Sequence, residues 1–217
     1  MDEKDRLRFI HDLYEFNDDD PVSNALYRFN SKYMEVEPPY IIQYKKSEHK
    51  IRKLLVEILA FVLMPNHFHL LLRQKMENGI IRFMQKLGTG YTMYFNQKYE
   101  RVGGLFQGRY KAVLVKRESH FIYLPTYIHT NPLKIYRGST SINKVMNFLQ
   151  SYRWSSFPDY IGHKNFPSLT SRDFLLEYFG GEKRLWDETK DIVADLLKNK
   201  LTDFPGIEEV RLDKDFA

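Results

Sequence analysis

The stretch AFVLMPNHFHLLLR, residues 60–73, decides how the rest of the chain is read. Two apolar runs of β type, VEILAFVLM and FHLLL, flank Pro65-Asn66, a dipeptide that favours a turn. His67 and His69 follow the turn directly. Side chains alternate along a strand, so both imidazoles point to one face. At the usual rise they start roughly 7 Å apart, close enough to share one metal ion. Phe68, and with it Leu70, is expected on the opposite, buried side. A polar pair inside an apolar strand is the kind of local conflict that functional sites produce. By itself the pair leaves two readings open, because imidazole serves both as a metal ligand and as a half-buried structural group.

The chain's 217 residues suffice for one well-cored domain with a small appendage. An apolar content of 43% with 15% aromatics argues for a folded globule rather than a disordered chain. The absence of cysteine excludes disulfides, zinc ribbons and thiol chemistry, and fits a cytoplasmic setting. No long apolar run predicts a membrane span, and the acidic start does not resemble a signal peptide. The net charge is +5, and because residues 182–217 are acidic on balance, the body before them carries about +8. A basic body fits a polyanionic partner, and it equally fits ordinary solubility.

In chain order, Asp2–Asn17 reads as an amphipathic helix with Leu7, Ile10, Leu13 and Tyr14 at helical spacing. Pro21 is placed to open a second helix through Phe29, and Tyr40–Tyr44 reads as a short strand. The strands around the histidines form an antiparallel pair, although Pro-Asn is not a usual tight-hairpin signal. Asn78–Tyr99 is the longest predicted helix; Gly88 and Gly90 within it mark a close packing contact or a bend.

Lys98–Arg117 is different in kind. Six basic residues, among them Arg101, Arg109, Lys111 and Lys116, stand against the single acid Glu100, with Tyr99, Phe106 and Tyr110 interleaved. Arginine beside aromatics on a glycine-rich loop can grip phosphate and stack on unpaired bases; a solvated loop before an edge strand at Ala112–Val115 is the competing reading. Glu118–Lys134 is helical with an interruption at Pro125, and ends near Asn131 because Pro132 follows. Tyr127 and Asn131 are four apart and share a face. Helices are also predicted over Asn143–Tyr152, Ser171–Phe179 and Lys183–Lys198, with a loosely attached tail from Leu201.

LMPNHFHLLL, GGLFQGRYKAVLV, TYIHTNPLK and YRWSSF follow one another in this order over about residues 55–160. In that order and spacing the chain resembles the REP-associated tyrosine transposases, within the single-tyrosine HUH (IS200-like) transposases. The resemblance implies an α+β fold: a ferredoxin-like antiparallel sheet with helices packed on it. It places the transposase-like domain at residues 1–165 and a helical extension at 166–217. Family members carry a further strand before the first helix, so the resemblance implies a sheet lacking its first strand here.

The resemblance also implies cleavage and rejoining of single-stranded DNA at hairpins, by a monomer or homodimer. Carried over to matching positions, His67, His69 and Asn131 hold a divalent metal, Mg2+ or Mn2+, and Tyr127 is the nucleophile that forms a 5′-phosphotyrosine. Arg109, Tyr110, Lys111, Arg101 and Lys116 are the expected DNA contacts. A structural hydroxyl is the alternative for Tyr127, one of fifteen tyrosines. His129 is expected to be structural or to face DNA, and Trp154, Ser155 and Ser156 to be packing residues or phosphate contacts. Two other readings compete: a relative that binds hairpins without cutting them, and an unrelated phosphohydrolase. A histidine-triad hydrolase would need a third histidine where Leu71 stands.

Overall fold

The structure, a computed structural model, describes residues 2–20, 28–30, 35–37 and 52–198. The described residues are α+β, with seven α-helices and four strands. They divide into two compact units that interleave along the chain: Met1–Ile58, Leu72–Arg109 and Phe166–Ser171 form one, and Leu59–Leu71, Tyr110–Asn165 and Arg172–Ala217 the other.

In the first unit, helix α1 spans Glu3–Glu15 and begins with a capping box, in which the Asp2 and Asp5 side chains each accept a hydrogen bond from the other's backbone N–H. Its Phe9, Ile10 and Leu13 are buried, and Phe9 meets Tyr91 of helix α2 (Gly79–Lys98) edge-on at 5.0 Å. Gly90 is the close contact: a Cβ there would overlap the Phe16 ring. Asp5 is wholly buried and accepts hydrogen bonds from Tyr99 at 2.7 Å, Tyr94 at 3.1 Å and Lys98 at 2.5 Å. Burial pushes its carboxyl up, but the donors led by Lys98 and Tyr99 outweigh burial and hold it at about 2. Lys98 is therefore tied into this network rather than offered with the basic segment that follows. Asp5→Asn is expected to cost about 2 kcal/mol in urea unfolding at neutral pH, through weakened hydrogen bonds to a buried acceptor. An unchanged midpoint would show the network to be dispensable.

A short antiparallel pair, β1 (Arg28–Asn30) and β2 (Glu35–Glu37), puts Arg28 and Phe29 in a strand, where the predicted second helix was expected to end. Residues 21–27 lie outside the described residues, as do the predicted strand at Tyr40–Tyr44 and the tail from Leu201.

Strands β3 (Val56–Leu63) and β4 (Phe68–Gln74) hydrogen-bond to each other as the predicted hairpin. Phe68 and Leu70 are only half-buried, while Leu71, which shares the histidine face, is buried. The expectation that Phe68 and Leu70 face a buried side is thus corrected: both are half-buried, and the histidine side is itself partly covered.

In the second unit, the other edge of β3 is closed from far along the chain. Leu63 donates to the Trp154 carbonyl at 2.8 Å, Ser156 donates to the Phe61 carbonyl at 3.0 Å, and Val62 bridges Ser155 antiparallel. Tyr152 and Tyr160 hydroxyls donate to the Leu63 and Leu59 carbonyls. These bonds satisfy backbone groups that would otherwise be buried without partners.

Helix α3 (Glu118–Thr130) runs unbroken through Pro125, and a 3-10 turn, Asn131–Ile135, continues it. The predicted strand at Ala112–Val115 does not form. That segment is irregular, with Leu114 76% exposed, because among the described residues no strand pairs with it. Helices α4 (Ile142–Ser151), α5 (Phe157–Tyr160), α6 (Asp173–Phe179) and α7 (Glu182–Lys198) complete the unit. Left-handed Gly180 and Gly181 separate the last two.

Candidate active site

The site is built at the turn between β3 and β4, on the side covered by α3, all within the second unit. Met64 donates to the His67 carbonyl at 2.8 Å, which closes the hairpin around Pro65-Asn66. Neither loop residue has positive φ, so the turn lacks the left-handed pair of the commonest two-residue hairpins. Asn66 instead does local work, with its Oδ1 accepting from His67 Nδ1 at 2.8 Å. That bond orients the ring and leaves Nε2 with its lone pair. His67 and His69 stand edge-on with centroids 5.0 Å apart.

Two rings bound to one ion through nitrogens at about 2.1 Å have centroids roughly 4.5–5 Å apart, so the observed pair fits a shared metal. The Tyr127 ring lies 5.7 Å from that of His69, nearly perpendicular. Lys134, two helical turns beyond Tyr127, places its ammonium 5.5 Å from the Tyr127 ring centre. Asn131 caps α3 one turn past Tyr127 and is 2% exposed. Its Oδ1 and Nδ2 are buried and make no hydrogen bond among the described residues. A buried amide in that state has the full cost of desolvation uncompensated, unless a bound group completes it.

What holds α3 in place was not decided by sequence. His129 is 1% exposed and its Nε2 lies 2.9 Å from Ser156 Oγ, which also accepts from the Phe61 N–H at 2.9 Å. Its ring packs 5.4 Å from Phe157 and 5.3 Å from Tyr160. His129 therefore links α3 to β3 through one hydroxyl. At the other end of the helix, Phe121 meets Phe174 and Tyr178 of α6, and the Tyr178 hydroxyl donates to Glu118. Ser155 and Ser156 are fully buried, so the open choice between packing and phosphate contact falls to packing.

Burial pushes the His129 imidazole down to about 3. The unfolded chain, with an ordinary histidine, binds the proton more readily. The neutral form thus contributes its full stability above about pH 6.5, and that stability is lost as pH falls from there toward 3. Between pH 7 and 5 this one group is expected to remove about 2 kcal/mol. Urea unfolding at both pH values should show the gap between the parent and His129→Gln narrowing by that amount as pH drops. A constant gap would mean that the imidazole is not held neutral.

The predicted DNA contacts Arg101, Arg109, Tyr110, Lys111 and Lys116 all lie on the exposed, irregular segment 101–117. Arg101 and Arg109 belong to the first unit; Tyr110, Lys111 and Lys116 belong to the second, which also brings His67, His69 and Tyr127 together. Arg101 sits over the Phe95 ring at 5.7 Å. The side chain of His120 lies outside the described residues. Sequence reasoning missed Asn66 and Lys134 as members of the site. The spacing of seven between Tyr127 and Lys134 was the available signal, because two turns of helix return to one face.

Residues 30–131 match the family model described as "Transposase IS200 like". The matched segment holds both histidines, Tyr127 and every predicted DNA contact, and it ends at Asn131. No curated protein and no solved structure matches the chain. The family match supports a transposase function, and with it a DNA-cleaving enzyme and DNA as the partner. Among the described residues no helix is long and apolar enough to cross a membrane.

Proposed function

We propose that this chain is a single-strand DNA endonuclease and strand transferase of the REP-associated tyrosine type, acting at DNA hairpins. The observation that carries the reading is the meeting of Tyr127 with His69, beside His67, inside the segment that matches the transposase family. In this reading residues 1–165 form the transposase-like domain, its sheet is a ferredoxin-like one, and 166–217 is an extension.

His67, His69 and Asn131 are the residues that would hold a divalent ion. The resemblance implies Mg2+ or Mn2+; two imidazoles with one amide oxygen suit Mn2+ better than Mg2+, which prefers oxygen ligands. The three ligands are neutral, so they leave the ion's charge undiminished. When bound, such an ion supplies Lewis-acid polarisation of the scissile phosphate. Tyr127 Oη attacks phosphorus; the P–O bond to the 3′ oxygen breaks as the tyrosyl P–O bond forms. The phenol gives up its proton, and the departing 3′ oxygen takes one up. The product is a 5′-phosphotyrosine that keeps the phosphodiester's bond energy, so another 3′-hydroxyl can reverse the step without ATP. Lys134 holds a positive charge beside the nucleophile's ring, where the phosphate's negative charge would sit. Arg109, Tyr110, Lys111, Arg101 and Lys116 grip the strand through phosphate contacts and stacking.

The test is incubation with single-stranded hairpin DNA and Mn2+, resolved on a denaturing gel. A protein–DNA adduct with release of a free 3′-hydroxyl strand supports the proposal. Hairpin binding with no cleavage under any divalent ion would instead favour a relative that recognises DNA without cutting it.

A further inference from the structure

We propose that His11, Asp12 and Glu15 of α1 form a second divalent-cation site, of zinc type, outside the segment that matches the transposase family. The residues stand at i, i+1 and i+4, so His11 and Glu15 share a helix face, with Asp12 beside them. His11 Nδ1 lies 3.1 Å from Glu15 Oε2 and 3.7 Å from Asp12 Oδ1, and one ligand atom from each of the three lies within 4.8 Å of the others. Ligand atoms around one tetrahedral ion at about 2.1 Å stand roughly 3.4 Å apart, so the cluster is close to the required spacing before any ion binds.

Burial supplies the independent observation. Asp12 is 0% and Glu15 2% exposed, and neither Glu15 oxygen makes a hydrogen bond among the described residues. Asp12 keeps one cation, Arg8, whose Nε is 2.8 Å from its Oδ1. Whenever His11 is unprotonated, one guanidinium stands against two buried carboxylates, which is costly in a poorly solvated place. Burial, reinforced by the Asp12 charge, pushes the Glu15 carboxyl up despite His11 and Arg8. A divalent ion would offset both carboxylates at once. An imidazole with two carboxylates favours zinc over magnesium or calcium, which prefer all-oxygen sites. His11 is the partly exposed member, through which an ion could enter from solvent.

The test is a Zn2+ titration of the untagged, metal-free full chain carrying His67→Ala and His69→Ala, so that the proposed catalytic site cannot contribute. One zinc equivalent per chain is expected, together with a raised unfolding midpoint. Adding Glu15→Gln or His11→Gln should weaken binding at least tenfold. Glu15→Gln keeps the side chain's size and removes its charge, and the metal-free midpoint of each variant reports whether it folds. No zinc equivalent, or one that both substitutions leave unchanged, overturns the proposal. Because the tested protein lacks the histidine pair, neither result bears on the DNA-cleavage reading.

Discussion

Tyr127→Phe is expected to abolish the covalent protein–DNA adduct and to lower hairpin cleavage by at least about a thousandfold. The substitution is selective because the ring makes the contacts with His69 and Lys134, while the hydroxyl is the proposed nucleophile. Phe at this position keeps the edge-on approach to His69 and the aromatic face beneath Lys134. Hairpin affinity and the unfolding midpoint should therefore change little, which separates loss of chemistry from loss of structure. A denaturing gel reads the adduct, and a gel-shift on the same hairpin reads binding. Cleavage that continues at the parent's rate, with the 5′ end free, would identify water as the nucleophile and remove Tyr127 from its assigned role. Tyr123 is the internal control: it lies one turn earlier on the same helix but is 42% exposed, and Tyr123→Phe should leave the adduct intact.

Replacing His69 with Ala is expected to reduce cleavage at least about a hundredfold, with His67→Ala close behind. Both remove a nitrogen from a pair whose 5.0 Å separation suits one ion, but they differ in collateral effect. His69 also supports the Tyr127 ring, so its loss frees the nucleophile as well as weakening metal affinity. His67 lies at the exposed turn, held by Asn66, and its loss should act through metal affinity alone. Raising Mn2+ should thus restore His67→Ala more than His69→Ala in single-turnover cleavage. Chelation of divalent ions should silence the parent outright. Equal cleavage by parent and variants with chelator present would rule out a metal held by these histidines.

The histidine hairpin could be read from the chain because its signals are local. An apolar run, a Pro-Asn turn and a period-two pair fall within a few residues of one another. Helix α2 was legible for the same reason, since its buried Phe83, Met84, Leu87 and Tyr91 repeat every three or four residues. Local signals also misled. Ala112–Val115 is a short apolar run that reads as a strand, yet it stays irregular because a strand needs a hydrogen-bonded neighbour that its own residues cannot supply. Pro125 left open a kink in one longer helix or the start of a new one, and α3 passes through it as a single helix with Leu124 and Ile128 buried on either side. Tertiary packing there outweighs one missing backbone hydrogen bond.

The sequence by itself determined the candidate chemistry: two imidazoles on one strand face, a tyrosine and an asparagine one helical turn apart, and a basic segment between them. Only the tertiary structure decided which groups meet. Tyr127 reaches His69 across fifty-eight positions of chain, because α3 is fastened to β3 through His129 and Ser156, and Ser156 lies ninety-five residues from the Phe61 it bonds. Such contacts carry no local periodicity. They arise when burying apolar surface brings distant segments together and each buried polar group must then find a partner.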